Sequence, residues 1–180
     1  ACGCTDTSGF NEDGCCDDVV MGCDDTCGSG LVDDECGVCD GSGPEEDFIC
    51  NSSGDGYAFK PATQEALQTA VDMWIDDNES ALATYYGEIN TWDVSLITDM
   101  SNLFYDRSTF NDDIGSWDVS SVTSMNSMFW RARAFSQDIS NWNVSSVTDM
   151  NHMLEAANVF NHDIGSWDVS NVTTMRKMFQ

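Results

Sequence analysis

The residues of this 180-residue chain whose types and spacing could do chemistry are carboxylates at fixed intervals. Asp113, Asp138 and Asp163 stand 25 residues apart, and Asp93, Asp118 and Asp168 share a second periodic slot in which Asn143 breaks the series. Stacked copies of one slot lie ~5 Å apart, so each like-charged neighbour opposes folding by ~1 kcal/mol even in water. Two chemistries would offset that. Each carboxylate can accept backbone N–H bonds within its own turn, as Asp118 would near Ser120. Alternatively, Ca²⁺ can bridge neighbouring rungs. Turn bonding is the stronger expectation, because the neutral Asn143 argues against a strict charge requirement.

A second acidic group lies near the start. Residues 1–50 hold 14 of the 32 acidic side chains and no Lys or Arg. Asp17, Asp18, Asp24, Asp25, Asp33, Asp34, Glu35 and Asp40 are Ca²⁺ candidates, with Asp33, Asp34, Glu35 and Asp40 put forward as a metal site. The EF-hand spacing is not met, Asn11-x-Asp13-Gly14 being only a fragment of it. A solvated acidic surface is the stronger reading, and no cofactor is expected beyond that one candidate ion.

All nine cysteines, Cys2, Cys4, Cys15, Cys16, Cys23, Cys27, Cys36, Cys39 and Cys50, fall in the same segment. Zinc would favour paired Cys-x2-Cys units with histidine nearby. Only Cys36 and Cys39 have that spacing, and His152 and His162 are more than 100 residues away. A disulfide scaffold is therefore expected, and with it an oxidising compartment. The odd count leaves one thiol unpaired or bonded to another chain, and the pairing stays open.

Four N-glycosylation sequons start at Asn51, Asn78, Asn143 and Asn171. Asn51 in a Gly/Ser-rich stretch is the best of them, Asn171 occupies a variable slot, and Asn143 is expected to be engaged in its turn. A net charge of −26 repels nucleic acid and anionic lipid. No hydrophobic run reaches the ~18 residues that cross a membrane. The first residue is Ala1 rather than Met, as in a processed secreted protein. No GxGxxG, Walker loop, HExxH or GxSxG occurs, His152 and His162 sit in variable slots, and no enzyme activity or catalytic residue is expected.

The elements that must position these groups follow from tryptophan. Trp92, Trp117, Trp142 and Trp167 recur every 25 residues, the mark of one small unit stacked on copies of itself. Ile114, Trp117 and Val119 with their copies predict a short extended segment. Thr98, Thr123, Thr148 and Thr173 predict N-caps of two helical turns carrying Met100, Met125, Met150 and Met175, and Phe110, Phe135 and Phe160 return the chain. The Trp and Met series form the expected core. Before the repeats, Thr63 caps a helix whose apolar face is Ala66, Leu67, Ala70, Val71, Trp74 and Ile75. A second helix is predicted over Glu79–Tyr86, ended by Gly87. The expected organisation is an acidic disulfide-rich module (1–50), a linker (51–60), a helical cap (61–87) and about four coils (88–180), the last incomplete. The fold class is an α/β solenoid, a leucine-rich-repeat-like right-handed coil.

The segment "DIGSWDVSSVTSMNSMF" and its copies resemble the BspA-like leucine-rich repeat family of surface proteins. Leu67–Ser95 resembles that family's helical cap, apart from the doubled Tyr85-Tyr86. "DECGVCDGSG" (34–43) resembles an element of extracellular Cys-rich modules. The resemblance covers residues 60–180 and implies a secreted or cell-surface solenoid used for adhesion, matrix or recognition, without catalytic residues. The last coil stops at Phe179-Gln180 without a polar cap, from which head-to-tail self-association into a surface fibre is the leading expectation. The competing one is an adhesin that binds protein or glycan through the solenoid face.

Overall fold

The structure, a computed structural model, describes residues 46–50, 57–84 and 87–180. The chain divides into two compact bodies, residues 1–45 with 49–57, and residues 46–48 with 58–180. Of the first, Ile49, Cys50 and Tyr57 are described, and Cys50 is disulfide-bonded. The other eight cysteines, the sequon Asn51 and the Ca²⁺ candidates Asp33, Asp34, Glu35 and Asp40 lie outside the described residues.

Strands β1 (Phe48–Cys50) and β2 (Tyr57–Phe59) are paired. Residues 57–59, expected in the linker, are thus a strand. Its last residue, Phe59, is buried with its ring 5.5 Å from Phe48 and edge-on to Trp92 at 5.2 Å. Helix α1 (Gln64–Asp76) starts at Thr63, whose hydroxyl accepts the Ala66 N–H at 3.2 Å. Leu67, Ala70, Val71 and Trp74 bury one face, as apolar residues at i, i+3 and i+4 should. Helix α2 covers Asn78–Thr84, one residue earlier than its predicted start. Asp77 sets that start by accepting the Ser80 N–H and hydroxyl at 3.2 and 2.6 Å, an acidic N-cap. Gly87 follows with φ of +145°, a conformation open to glycine alone.

From Ile89 the chain runs through three 25-residue repeats, which begin at Ile89, Ile114 and Ile139, and into a fourth that begins at Ile164. Backbone bonds join each to the next. Parallel bridges link Asp99 to Ser124, Ser124 to Asp149 and Asp149 to Thr174. Inside lie two columns of stacked rings. Phe104 and Phe129 are 5.3 Å apart, while Phe110, Phe135 and Phe160 follow at 6.0 and 5.9 Å, all within 9° of parallel. Trp92, Trp117, Trp142 and Trp167 are buried, as are Met100, Met125 and Met150. Met175, assigned to the same core, is 40% exposed in the fourth repeat.

Two local expectations are corrected. The segment after each Thr is a row of turns rather than two helical turns. Alternate N–H groups close i→i−3 turns, as Leu103 does to Met100 O and Tyr105 to Asn102 O, whereas the intervening ones cross to the next repeat. Met100, Asn102, Phe104 and Asp106 donate to the carbonyls of Ser124, Asn126, Met128 and Trp130 at 2.7–2.9 Å. The same pattern joins repeats two to three and three to four. Left-handed residues permit it: Asn102, Ser127, His152 and Lys177 have φ of 55–63°, and Asp106, Arg131 and Ala156 have φ of 57–61°. The threonines are not helix caps either. The Thr123, Thr148 and Thr173 hydroxyls donate to the carbonyl of the preceding Thr at 3.0–3.1 Å, beside the backbone N–H of the same residue.

Candidate functional site

The periodic carboxylates act within their own turns. Asp118 and Asp168 accept the N–H groups of Ser120 and Ser170 at 3.0 Å, and Asn143 accepts that of Ser145 at 3.2 Å. Asp113, Asp138 and Asp163 accept from Gly115, Ser140 and Gly165 at 2.9–3.0 Å. Each is a side chain bonded to the backbone two residues on. The Ser120 hydroxyl and N–H hold the Asp118 carboxyl below its ordinary value, against burial and the Asp93 charge, which push upward. Ser140 and Ser170 lower Asp138 and Asp168 in the same way. Burial pushes Asp93 up, but Lys60 at 2.8 Å and Ser95 outweigh it and leave the carboxyl low. Asn143 keeps the bond without the charge, so hydrogen bonding is what this slot uses. Among the described residues, no three His, Cys, Asp or Glu side chains gather as a metal-sized cluster.

The repeat edge nearest α1 is closed by side chains. Ser101 O and Leu103 O occupy the slots in which Asn126 O and Met128 O accept from the preceding repeat. Here Gln64 Nε2 and Gln68 Nε2, one helical turn apart on α1, donate to them at 2.9 and 3.1 Å. Trp74 Nε1 adds a bond to Asp112 Oδ2 at 2.9 Å.

Beside that edge the turn row carries the cations. Five of the chain's six basic residues, Arg107, Arg131, Arg133, Arg176 and Lys177, lie in or next to the turn segments. Large aromatics join them. Tyr105, 39% exposed, meets Trp130 of the next repeat edge-on at 5.0 Å. The Arg131 guanidinium lies 5.3 Å over the Trp130 ring, and His152 is 5.6 Å away on the following repeat. His152 pairs with Glu155, which it holds below the ordinary carboxylate range, and Lys177 approaches Glu155 at 3.7 Å.

Tyr105 also walls a groove of about 340 Å³ that Gln68, Asp72, Asn102, Leu103 and Arg107 complete. Arg107 is paired with Asp72 at 2.5 Å and reaches Asp76 at 3.5 Å. Tyr105 and Trp130 had no periodic signal, since Tyr105, Trp130 and Glu155 share one slot with three different side chains. What could have marked them is the clustering of scarce cations there. Of the sequons, Asn78 is the first residue of α2 and exposed. Asn143 Oδ1 accepts the Ser145 N–H, and Asn171 Nδ2 donates to Ser145 O at 2.8 Å, so each amide group is engaged although its residue is exposed. No helix among the described residues is long and apolar enough to cross a membrane.

Residues 89–180 thus carry a 25-residue period in sequence whose copies are joined by backbone bonds. Residues 72–180 match the family described as "Mycoplasma protein of unknown function, DUF285", and because the match spans more than half of the chain, the chain belongs to that family. No curated protein and no solved structure matches it.

Proposed function

We propose that the chain is a non-enzymatic, extracellular recognition module. In this reading it is a BspA-like solenoid whose turn rows, standing where short helices were expected, present side chains to a partner. The observation that carries the reading is the gathering of five of six cations and of exposed Tyr105 against half-buried Trp130 on the turn row. Indole N–H groups and threonine hydroxyls are spent on joining one repeat to the next, whereas this row varies from repeat to repeat. The cysteine density and the disulfide at Cys50 favour an oxidising, extracellular location.

A fibre subunit is the competing reading. Head-to-tail stacking on the first repeat would use its Ser101 and Leu103 carbonyls, and Gln64 and Gln68 already occupy them. That favours lateral recognition. The test is surface plasmon resonance of the intact chain over immobilised extracellular-matrix proteins and oligosaccharides, with light scattering of the same sample. Saturable binding by a monodisperse species is expected. Long polymers that bind nothing saturably would overturn recognition in favour of the fibre.

A further inference from the structure

The groove beside Tyr105 has the chemistry of a sugar site. It is walled by the Tyr105 ring and the planar polar groups of Gln68, Asp72, Asn102 and Arg107, with Leu103 beneath, in a volume of about 340 Å³. That is at the small end of ligand pockets, which run ~300–1,000 Å³, and suits one or two pyranose rings. The polar groups are not used up. Both hydrogens of Gln68 Nε2 go to Asp72 Oδ1 and Leu103 O. Among the described residues, Gln68 Oε1, Asp72 Oδ2, the Asn102 amide and the Tyr105 hydroxyl make no hydrogen bond. Free acceptors and free donors thus both line the groove. A vicinal diol, whose every hydroxyl both donates and accepts, meets such a mixed array fully. A carboxylate, phosphate or ammonium ion meets only half of it.

Charge narrows the class. Arg107 faces the groove but is neutralised by Asp72 and Asp76, so the site offers an anion no unpaired cation. The chain's net charge of −26 repels anionic polymers at longer range. The aromatic wall serves the apolar C–H face of a sugar ring, as amphipathic rings with one wet edge do at recognition surfaces. Asn102 has its backbone at φ of 63° in the turn that its carbonyl closes with the Tyr105 N–H, which sets where its side chain leaves the chain beside the groove.

We infer that this groove binds a neutral oligosaccharide, with Tyr105 stacking on a pyranose ring and Asn102, Gln68 and Asp72 reading its hydroxyls. The inference rests on the recognition reading above and names its ligand class. The experiment uses the intact chain on an array of neutral hexose and N-acetylhexosamine oligosaccharides, sialylated and sulfated glycans, and proline-rich peptides. Hits are followed by saturation-transfer NMR. Neutral glycans should bind saturably, with transfer from aromatic protons to sugar C–H protons. Tyr105→Ala and Asn102→Gly should each weaken binding by about tenfold or more, while thermal melts confirm that both variants fold. Binding confined to sulfated glycans or peptides, no neutral glycan bound at millimolar concentration, or neutral binding indifferent to both substitutions would each overturn the assignment. Saturable binding to a matrix protein that both variants retain would leave the recognition reading standing while this site fails, so the two failures are separable.

Discussion

Gln68 Nε2 donates to the Leu103 carbonyl at 3.1 Å, which puts a helix side chain where the backbone N–H of a preceding repeat would stand. Gln64 does the same for Ser101 at 2.9 Å. The repeats donate forward along the turn row, so the first one presents only carbonyls on this side, and an unpaired buried carbonyl is costly. Two amides at i and i+4 on one helix match two carbonyls two residues apart. Gln68→Met keeps the length and removes the donor, and should destabilise by about 1 kcal/mol. Gln68→Glu should be worse, since it turns a carboxylate toward a carbonyl and toward Asp72. Urea midpoints check the order, and a Gln64→Met, Gln68→Met double variant as stable as the parent would show that the two amides do not stabilise the repeat edge.

The Ile114 carbonyl uses two acceptor directions, taking the Trp117 N–H at 3.1 Å and the Trp142 indole N–H at 3.2 Å. Trp117 reaches Ile89 O and Trp167 reaches Ile139 O in the same way, at 2.8 and 3.2 Å. The indole therefore joins two repeats by a bond as well as by burial. Trp142→Phe should lose the bond and part of the area, about 1–2 kcal/mol. Trp142→Ala should cost about 3–5 kcal/mol and unfold much of the stack. A Trp142→Phe variant as stable as the parent, measured by denaturant titration, would show that the bond contributes nothing.

Tryptophan at a 25-residue period was legible because a buried indole with a fixed partner tolerates no substitute. The turn bonding of Asp118 was legible too, from Asn143 standing in its slot. The turn row was not. Met100, Leu103 and Phe104 repeat at i, i+3 and i+4, the spacing of a helix face, but turns that reverse direction every two residues bury the same positions. Glycine would have signalled left-handed backbone, and Asn102, Ser127, His152, Lys177, Asp106, Arg131 and Ala156 hold it without one. The Tyr105 groove stayed hidden for a different reason. It joins α1 to the first repeat, so no single period contains it.

Asp93, Asp118, Asp138 and Asp168 are all held below their ordinary values in the fold. A carboxyl lowered on folding stabilises above its unfolded pKa of ~3.9, and that stabilisation is lost as pH falls through the lower folded value. Acid also relieves the self-repulsion of a −26 chain, so a single melt mixes two opposite effects. A comparison separates them. Asp118→Asn keeps the turn bond, as Asn143 does at 3.2 Å, but does not titrate. Between pH 6 and pH 3 the parent should lose more stability than this variant in circular-dichroism melts. A constant gap across that range would mean that the turn carboxylate has no link to folding.

Ala156 has a φ of 59°, where its Cβ crowds the following carbonyl at a cost of about 1–2 kcal/mol. Glycine removes that crowding but gives up about 0.5–1 kcal/mol of backbone entropy. Ala156→Gly should therefore stabilise, by roughly 0.5–1 kcal/mol. Arg131 shares the slot with φ of 61°, but its guanidinium lies 5.3 Å over the Trp130 ring, so Arg131→Gly should gain less. Ala134 is the control. It lies outside the left-handed residues and donates to Ser108 O at 3.1 Å, so Ala134→Gly should destabilise by about 0.5–1 kcal/mol. Opposite signs for two alanine-to-glycine changes, read as shifts in urea midpoint, would tie the turn row to its left-handed residues. The same sign for both would show that the row is not held by them.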